Sequence, residues 1–318
     1  MATFRSTTEL LPPFLKNVVY YNTFLNMWEQ LSGRAKRCQH YCNVFVMILW
    51  VVSYPKSGNT WIRALIATYL YSNNGEFNFD LLLNIPKFIQ EKYISPLIKL
   101  DELKKDPLKI SEYWESAQLR INLDNQIKFF KTHNACVAYK NRWFTNKNNT
   151  IGYIYIVRDP RAVACSLAYH ANISIETSVN DLLNENKVGY NEPHKLAEMP
   201  GSWKINYLSW KKKKKFNGLI IKYEDLTDNT EKEFKKVLNF LDNIMDININ
   251  EKKILQSINS CQFSKLRKME DVHGFKEATN NKFFRIGKKD SWKDELSRDL
   301  RRKIEVNFRD EMIELGYL

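Results

Sequence analysis

Glycine, proline and cysteine are scarce in this chain, at 10, 9 and 5 of 318 residues. So little glycine excludes a collagen-like or glycine-rich disordered protein, and it gives any glycine inside a motif a local reason. The cysteines, Cys38, Cys42, Cys136, Cys165 and Cys261, are odd in number and form no CxxC pair. That argues against a disulfide framework and against a zinc site, and a reducing cytoplasm is the simplest compartment. Long apolar runs are missing too. A membrane-crossing helix needs ~20 apolar residues, whereas the run Val44 to Val52 has nine. The basic stretch RAKRCQH before that run raises a signal-anchor reading. The run feeds straight into Tyr54-Pro55, however, which reads better as a buried parallel strand. No stable membrane insertion is expected.

Negative charge is the scarcer sign: 36 Asp and Glu stand against 49 Lys and Arg, a formal net charge of +13. A basic balance favours anionic partners such as phosphorylated cofactors or nucleic acid, and it equally fits a lysine-rich solvated surface. The only low-complexity run, Lys211 to Lys215, reads as a solvated helix end, where positive charge is favourable. Residues 1–46 show no strand pattern and read as an N-terminal extension that need not belong to the native domain. Residues 47–318 read as a single domain, with Met47 a candidate biological start.

Hydrophobic patterning predicts alternating strands and helices. Strands are expected at Met47–Tyr54, Ile127–Lys131, Ile151–Val157 and Leu219–Leu226, from short β-branched and aromatic runs. Helices are expected at Thr60–Ser72, after Asp159-Pro160, and at Ser202–Lys215, Glu231–Leu241, Glu251–Ile258 and Asp294–Leu315. Residues 171–200 read as loop. The fold class is therefore α/β, a parallel sheet with helices on both faces. Ligands in such folds bind beyond the carboxyl ends of the strands. The loops after Val52, Lys131, Val157 and Ile221 should converge on one site.

The first of these loops is SYPKSGNTW, Ser53 to Trp61. Its strand–loop–helix setting turns the backbone N–H groups of Ser57, Gly58, Asn59 and Thr60 toward one point, which suits an anion. Gly58 permits close backbone approach, Lys56 adds positive charge, and Ser57 and Thr60 add hydroxyl donors. A nucleoside-triphosphatase loop, GxxxxGK[ST], carries its lysine after the glycine. Here Lys56 precedes Gly58 and no upstream glycine exists. Taken alone, the loop could equally be an ordinary strand-to-helix turn.

Five segments in order carry a resemblance. YPKSGNTW matches seven of eight positions of YPKSGTTW, the 5′-phosphosulfate loop of sulfotransferases that use 3′-phosphoadenosine 5′-phosphosulfate (PAPS). KTH at Lys131–His133, IVRDPRAVACS, YEDL at Tyr223–Leu226 and FRIGKKDSWK resemble the family's later landmarks. The chain thus resembles the cytosolic-type sulfotransferases, with their P-loop-like fold. Several positions depart from the pattern: Asn59 replaces a Thr, Ile286 replaces the Lys of RKG, and Asp290-Ser291 replace Gly-Asp.

The resemblance implies a sulfuryl transfer from PAPS to a hydroxyl or amine acceptor. Lys56 and Ser57 to Thr60 would hold the 5′-phosphosulfate. Arg158, Ser166, Arg285 and the Gly287 backbone would clamp the 3′-phosphate, and Trp61, Tyr223 and Phe263 would surround the adenine. His133 would be the general base, with Lys131 orienting the sulfuryl group. A lone histidine after a strand is more often structural, but the Lys131-Thr132-His133 context favours the catalytic role. The acceptor is expected to be a small molecule, glycan or lipid, in a pocket framed by residues 75–125 and 170–205. Among the aromatics there, Phe77, Phe79, Tyr113 and Trp114 suit core packing better than a lining. Two rival classes are a P-loop-type kinase, which would need a magnesium carboxylate such as Asp225, and a basic nucleic-acid-binding module. No compact nucleic-acid motif supports the second, and no nucleic-acid partner is expected.

Overall fold

Alternate residues of the first strand face two different cores, and this alternation explains the layering. The computed structural model describes residues 48–122, 126–191, 196–278, 281–287 and 289–318. The expected N-terminal extension and its boundary at Met47 lie outside these residues.

Four strands form a parallel sheet: β1 (Ile48–Ser53), β2 (Lys128–Thr132), β5 (Thr150–Val157) and β8 (Asn217–Lys222), in the order β2-β1-β5-β8. Two short antiparallel pairs accompany it: β3 (Ala138–Tyr139) with β4 (Arg142–Trp143), and β6 (Gly189–Asn191) with β7 (Leu196–Glu198). Side chains alternate across a strand. Ile48, Trp50 and Val52 therefore pack with Tyr153, Tyr155 and Val157 in one core, while Leu49 and Val51 pack with Ile154 and Ile156 in the other. All six residues of β1 are buried, so the central strand is covered on both faces, as a parallel sheet requires.

Helix α1 (Asn59–Tyr71) follows β1 and joins the second core. Short helices α2 (Glu91–Ile94), α3 (Leu100–Lys105) and α4 (Trp114–Ile121) lie between β1 and β2 and contribute to the first core. Helix α5 (Pro160–Ala171) starts as the sequence indicates: Asp159 accepts from the Arg161 N–H at the N-cap, and Pro160 occupies the first turn.

Three expectations change. Residues 171–200 are not a plain loop, because Ser174 caps a helix, α6 (Ile175–Leu183), by accepting from the Thr177 N–H. Val179 and Leu182 bury its inner face, while the polar residues that suggested a loop cover the outer one. The strand of LIIKYEDL ends at Lys222, after helix α7 (Trp203–Lys211). Tyr223–Asp228 forms helix α8, with Glu224 and Asp225 in its first turn, where acidic residues are favoured. Helices α9 (Thr230–Met245), α10 (Glu251–Ser260) and α11 (Phe263–His273) follow. The expected C-terminal helix is divided into α12 (Trp292–Glu295), α13 (Arg298–Asn307) and α14 (Arg309–Glu314). Ser297 starts α13 as its cap, and the chain bends at the buried Phe308.

The C-terminus ties two strand-end loops together. Arg161 pairs with Asp159 and Glu305 and donates to the Tyr317 carbonyl. The Tyr317 hydroxyl donates to Glu224, which also accepts from the Asp159 N–H. The loops after β5 and β8 are thereby held side by side.

Candidate functional site

Strand order decides where a cavity can open. From β1 the sheet extends one way to β2 and the other way to β5 and β8, so connections leave the β1 end in opposite directions. A crevice at such a switch point is the usual ligand site of a parallel sheet. A cavity of about 1200 Å³ opens there, lined by Lys56, Lys131, His133, Arg158 and Tyr223 from the ends of all four strands. Gly58, Asn59, Thr60, Trp61, Ser166, Phe263, Arg285 and Gly287 also line it. Of the candidate residues, Ser57 alone does not; it is buried under the loop, and its hydroxyl has no hydrogen-bond partner among the described residues. The Asn59 side chain is committed elsewhere, because its amide donates to the Val51 carbonyl at 3.1 Å and braces the loop on β1.

The loop itself is a tight, left-handed turn. Lys56 has φ 65° and Gly58 φ 102°. The Lys56 carbonyl accepts from Arg158 at 3.1 Å, tying the loop after β1 to the end of β5. The Arg158 guanidinium lies 4.3 Å over the Tyr223 ring, and Trp61 meets that ring edge-on at 5.8 Å. Trp61 also donates to the Cys261 carbonyl at 3.0 Å. Phe263 packs close against Gly287, where a Cβ would come within 2.7 Å of the ring. Arg285 pairs with Glu295 at 2.9 Å and covers Tyr169.

Cations crowd the centre. The Lys56 ammonium sits 3.9 Å from the centre of the Phe283 ring. Burial, then the like charges of Lys131 and Arg158, pull its pKa down to about 7. Burial lowers that of Lys131 too, although Glu277 opposes this from 3.0 Å. Buried cations pushed toward neutrality in a cleft are a physical signature of an anion or catalytic site.

His133 is clamped from three sides. Its N–H donates to Glu198 at 3.2 Å, its carbonyl accepts from the buried Asn206 at 2.9 Å, and its Nδ1 lies 2.8 Å from the Ser53 carbonyl oxygen. A carbonyl only accepts, so Nδ1 carries the proton and Nε2 of the neutral ring is the free acceptor. Burial and the nearby Lys131 pull the ring's pKa down to about 4. Lys87 completes this corner by pairing with Glu198 at 2.5 Å. It is placed by residues 86–88, because the Phe88 N–H donates to the Lys131 carbonyl and the Lys131 N–H donates to the Pro86 carbonyl.

The far side of the cavity differs from the expectation. Described residues between 78 and 90 and between 269 and 286 line it, whereas none of the described residues of 91–122, 126–130 or 171–205 does. The reason is that α2 to α4 are absorbed by the first core: Trp114 is buried there, and Tyr113 packs against it. Phe79 lines the cavity and stacks on Phe275 at 4.7 Å, while Phe77 is core. Sequence reasoning missed Arg63, Lys87, Glu198 and Glu277. Arg63 and Lys87 offered only charges at the rim of apolar segments as a signal, and Glu277 lies in a stretch without periodicity.

The fold and the cavity together define a class: a parallel α/β protein with a P-loop-like strand-to-helix turn that opens on a cationic, aromatic-walled crevice. The model of the sulfotransferase domain matches residues 48–316, and the chain belongs to that family. Sulfotransferase 1B1 of dog (Canis lupus familiaris) is 25% identical over 304 residues, covering 91% of this chain and 89% of the relative. Flavonol 3-sulfotransferase of Flaveria bidentis is 26% identical over 309 residues, covering 92% and 91%. Among solved structures, mouse sulfotransferase SULT7A1 complexed with PAP aligns over 87% of this chain and 90% of its own, with a TM-score of 0.54 and 22% identity. Retinol dehydratase in a complex with retinol and PAP aligns over 87% and 86%, with a TM-score of 0.57 and 18% identity. These likenesses give the P-loop-like sulfotransferase fold.

Proposed function

We propose that this protein transfers the sulfuryl group of PAPS to a hydroxyl or amine on a small-molecule acceptor, without a metal and in a reducing cytoplasm. The observation that carries the reading is the meeting of Lys56, Lys131, His133 and Arg158 in one cavity walled by Trp61, Tyr223 and Phe263. The cavity fits the cofactor's chemistry: its buried cations sit beside aromatic faces, and the strand-to-helix turn presents N–H groups. PAPS supplies a sulfuryl group on a phosphate leaving group. Lys56 and the N–H groups of Ser57 to Thr60 hold the 5′-phosphosulfate end, and Lys56 meets the negative charge that develops on the leaving oxygen. Arg158, Ser166, Arg285 and the Gly287 backbone hold the 3′-phosphate, where a guanidinium gives paired bonds. Trp61, Tyr223 and Phe263 enclose the base. His133 takes the acceptor proton at Nε2, and Lys131 orients the sulfuryl oxygens. Phe79 and Phe275 give the acceptor side an apolar rim.

The test is labelled PAPS with a panel of phenols, alcohols and amines, with and without EDTA. Label transfer that survives EDTA is expected. In calorimetry, 3′,5′-adenosine bisphosphate (PAP) should bind far more tightly than adenosine 5′-phosphosulfate, which lacks the 3′-phosphate. Equal affinity for the two would overturn the 3′-phosphate clamp, and absence of PAP binding would overturn the function.

A further inference from the structure

The cavity already contains an anion of its own. Glu277, on the segment between α11 and α12, reaches across the centre of the site. One carboxylate oxygen lies 2.7 Å from Nη1 of Arg63. The other lies 3.0 Å from Nζ of Lys131 and accepts from the Thr60 hydroxyl at 3.0 Å. Arg63 is 3% exposed and also donates to the Ile85 and Leu82 carbonyls, so it cannot follow Glu277 outward without breaking both of those contacts. Glu277 itself keeps 28% of its side chain exposed and is carried by a short turn. The turn is pinned by Phe275, which stacks on Phe79 and meets Phe283 at 5.0 Å. Burial opposes the charge on Glu277, but Lys131 and Arg63 overcome it and hold the carboxyl well below its ordinary range.

Two of its three partners are the residues that the proposed function assigns to the phosphosulfate. A hydroxyl has one proton to give, so Thr60 cannot serve Glu277 and a phosphate oxygen together. Two anions at one cluster also repel each other in a partly buried site. We propose that Glu277 is an internal competitor for the 5′ end of the cofactor site, which an incoming 5′-phosphate or phosphosulfate displaces from Thr60 and Lys131. Glu277 is thereby a specificity-determining residue: a ligand that brings no anion to the 5′ end cannot displace it. On its departure Arg63 becomes a fixed, buried cation facing the transfer end of the cavity. This inference rests on the proposed use of PAPS.

Calorimetry separates the two. Glu277→Gln keeps the shape but removes the charge. It should tighten PAP binding at least fivefold while lowering the melting temperature of the ligand-free protein, because Arg63 and Lys131 lose their counter-ion. Adenosine 3′-monophosphate, with no 5′ anion, should show no gain. Glu277→Asp, which retracts the carboxylate by one methylene, should give a smaller gain of the same sign. PAP binding that is unchanged or weaker in both variants would overturn the competitor and leave Glu277 a structural counter-ion. An equal gain for adenosine 3′-monophosphate would also overturn it, since the effect would not be local to the 5′ end. Failure of the unaltered protein to bind PAP would overturn the functional reading and the competitor with it.

Discussion

Nδ1 of His133 lies 2.8 Å from the carbonyl oxygen of Ser53, so the end of one strand orients the ring that follows its neighbour. The contact is a consequence of sheet register. Val52 on β1 stands opposite Thr132 on β2, which brings the next residue of each strand side by side at the carboxyl edge. The histidine therefore needs no carboxylate to fix its tautomer, because the backbone supplies the acceptor.

His133→Ala should lower turnover by roughly 10²–10⁴-fold, the usual worth of a general base. PAP affinity should stay within about twofold, since the proposed base would serve the acceptor. The pH profile gives a second readout. With its pKa pulled down to about 4, the ring is unprotonated at neutral pH and gains a proton only as pH falls through that value. The rate should show no fall near pH 6.5 and a loss toward pH 4. A histidine-like limb near 6.5 in kcat/KM for the acceptor would show that His133 is not held as the structure holds it.

The proposed role of Lys56 needs the opposite protonation state. Its pKa in the ligand-free protein is about 7, lowered by burial and then by Lys131 and Arg158. A bound phosphate favours the charged form and raises that value. Between the free and bound values, binding must therefore take up a proton. PAP affinity should begin to fall as pH rises through about 7 and weaken further above it, by at most tenfold per pH unit, in calorimetry from pH 6.5 to 9. Lys56→Ala should weaken binding and turnover together and flatten the dependence. A level affinity from pH 6.5 to 9 in the unaltered protein would exclude Lys56 from the phosphate contacts.

The strand-end residues were legible because their signals are local. Asp159-Pro160 announces a helix start, and an apolar run before Lys56 and Gly58 announces a strand end; the structure shows both. The helical nature of Tyr223–Asp228 was hidden by the apolar run LII before it, although Glu224 and Asp225 in succession are a helix-start signal. The acceptor side was illegible for a different reason. Phe79 and Phe275 meet across almost two hundred residues of sequence, and neither lies in a periodic segment. Nor does anything in the neighbourhood of Glu277 reveal that Arg63 and Lys131 share its carboxylate, because all three contacts are long-range.

Gly58 offers the sharpest test of how the loop is built. It has φ 102°, a conformation that costs an L-residue about 1–3 kcal/mol. A Cβ there would also lie 2.6 Å from Cδ2 of Tyr223 and 3.1 Å from Cδ1 of Ile156. Ile156 belongs to a central strand and is fully buried, so Tyr223 must yield. Tyr223 carries the Arg158 guanidinium on its face and Trp61 at its edge. A single methyl therefore displaces three residues assigned to the nucleotide. Gly316 provides the control: its φ is 71°, yet an added Cβ would meet only the Lys222 ammonium at 3.9 Å, and the residue does not line the cavity. Gly316→Ala should lower the urea midpoint through backbone strain and leave PAP affinity unchanged. Gly58→Ala should lower the midpoint and also weaken PAP binding tenfold or more. If Gly58→Ala bound PAP within twofold of the unaltered protein, the close contact with Tyr223 would have no part in nucleotide binding, and the glycine would serve only the turn.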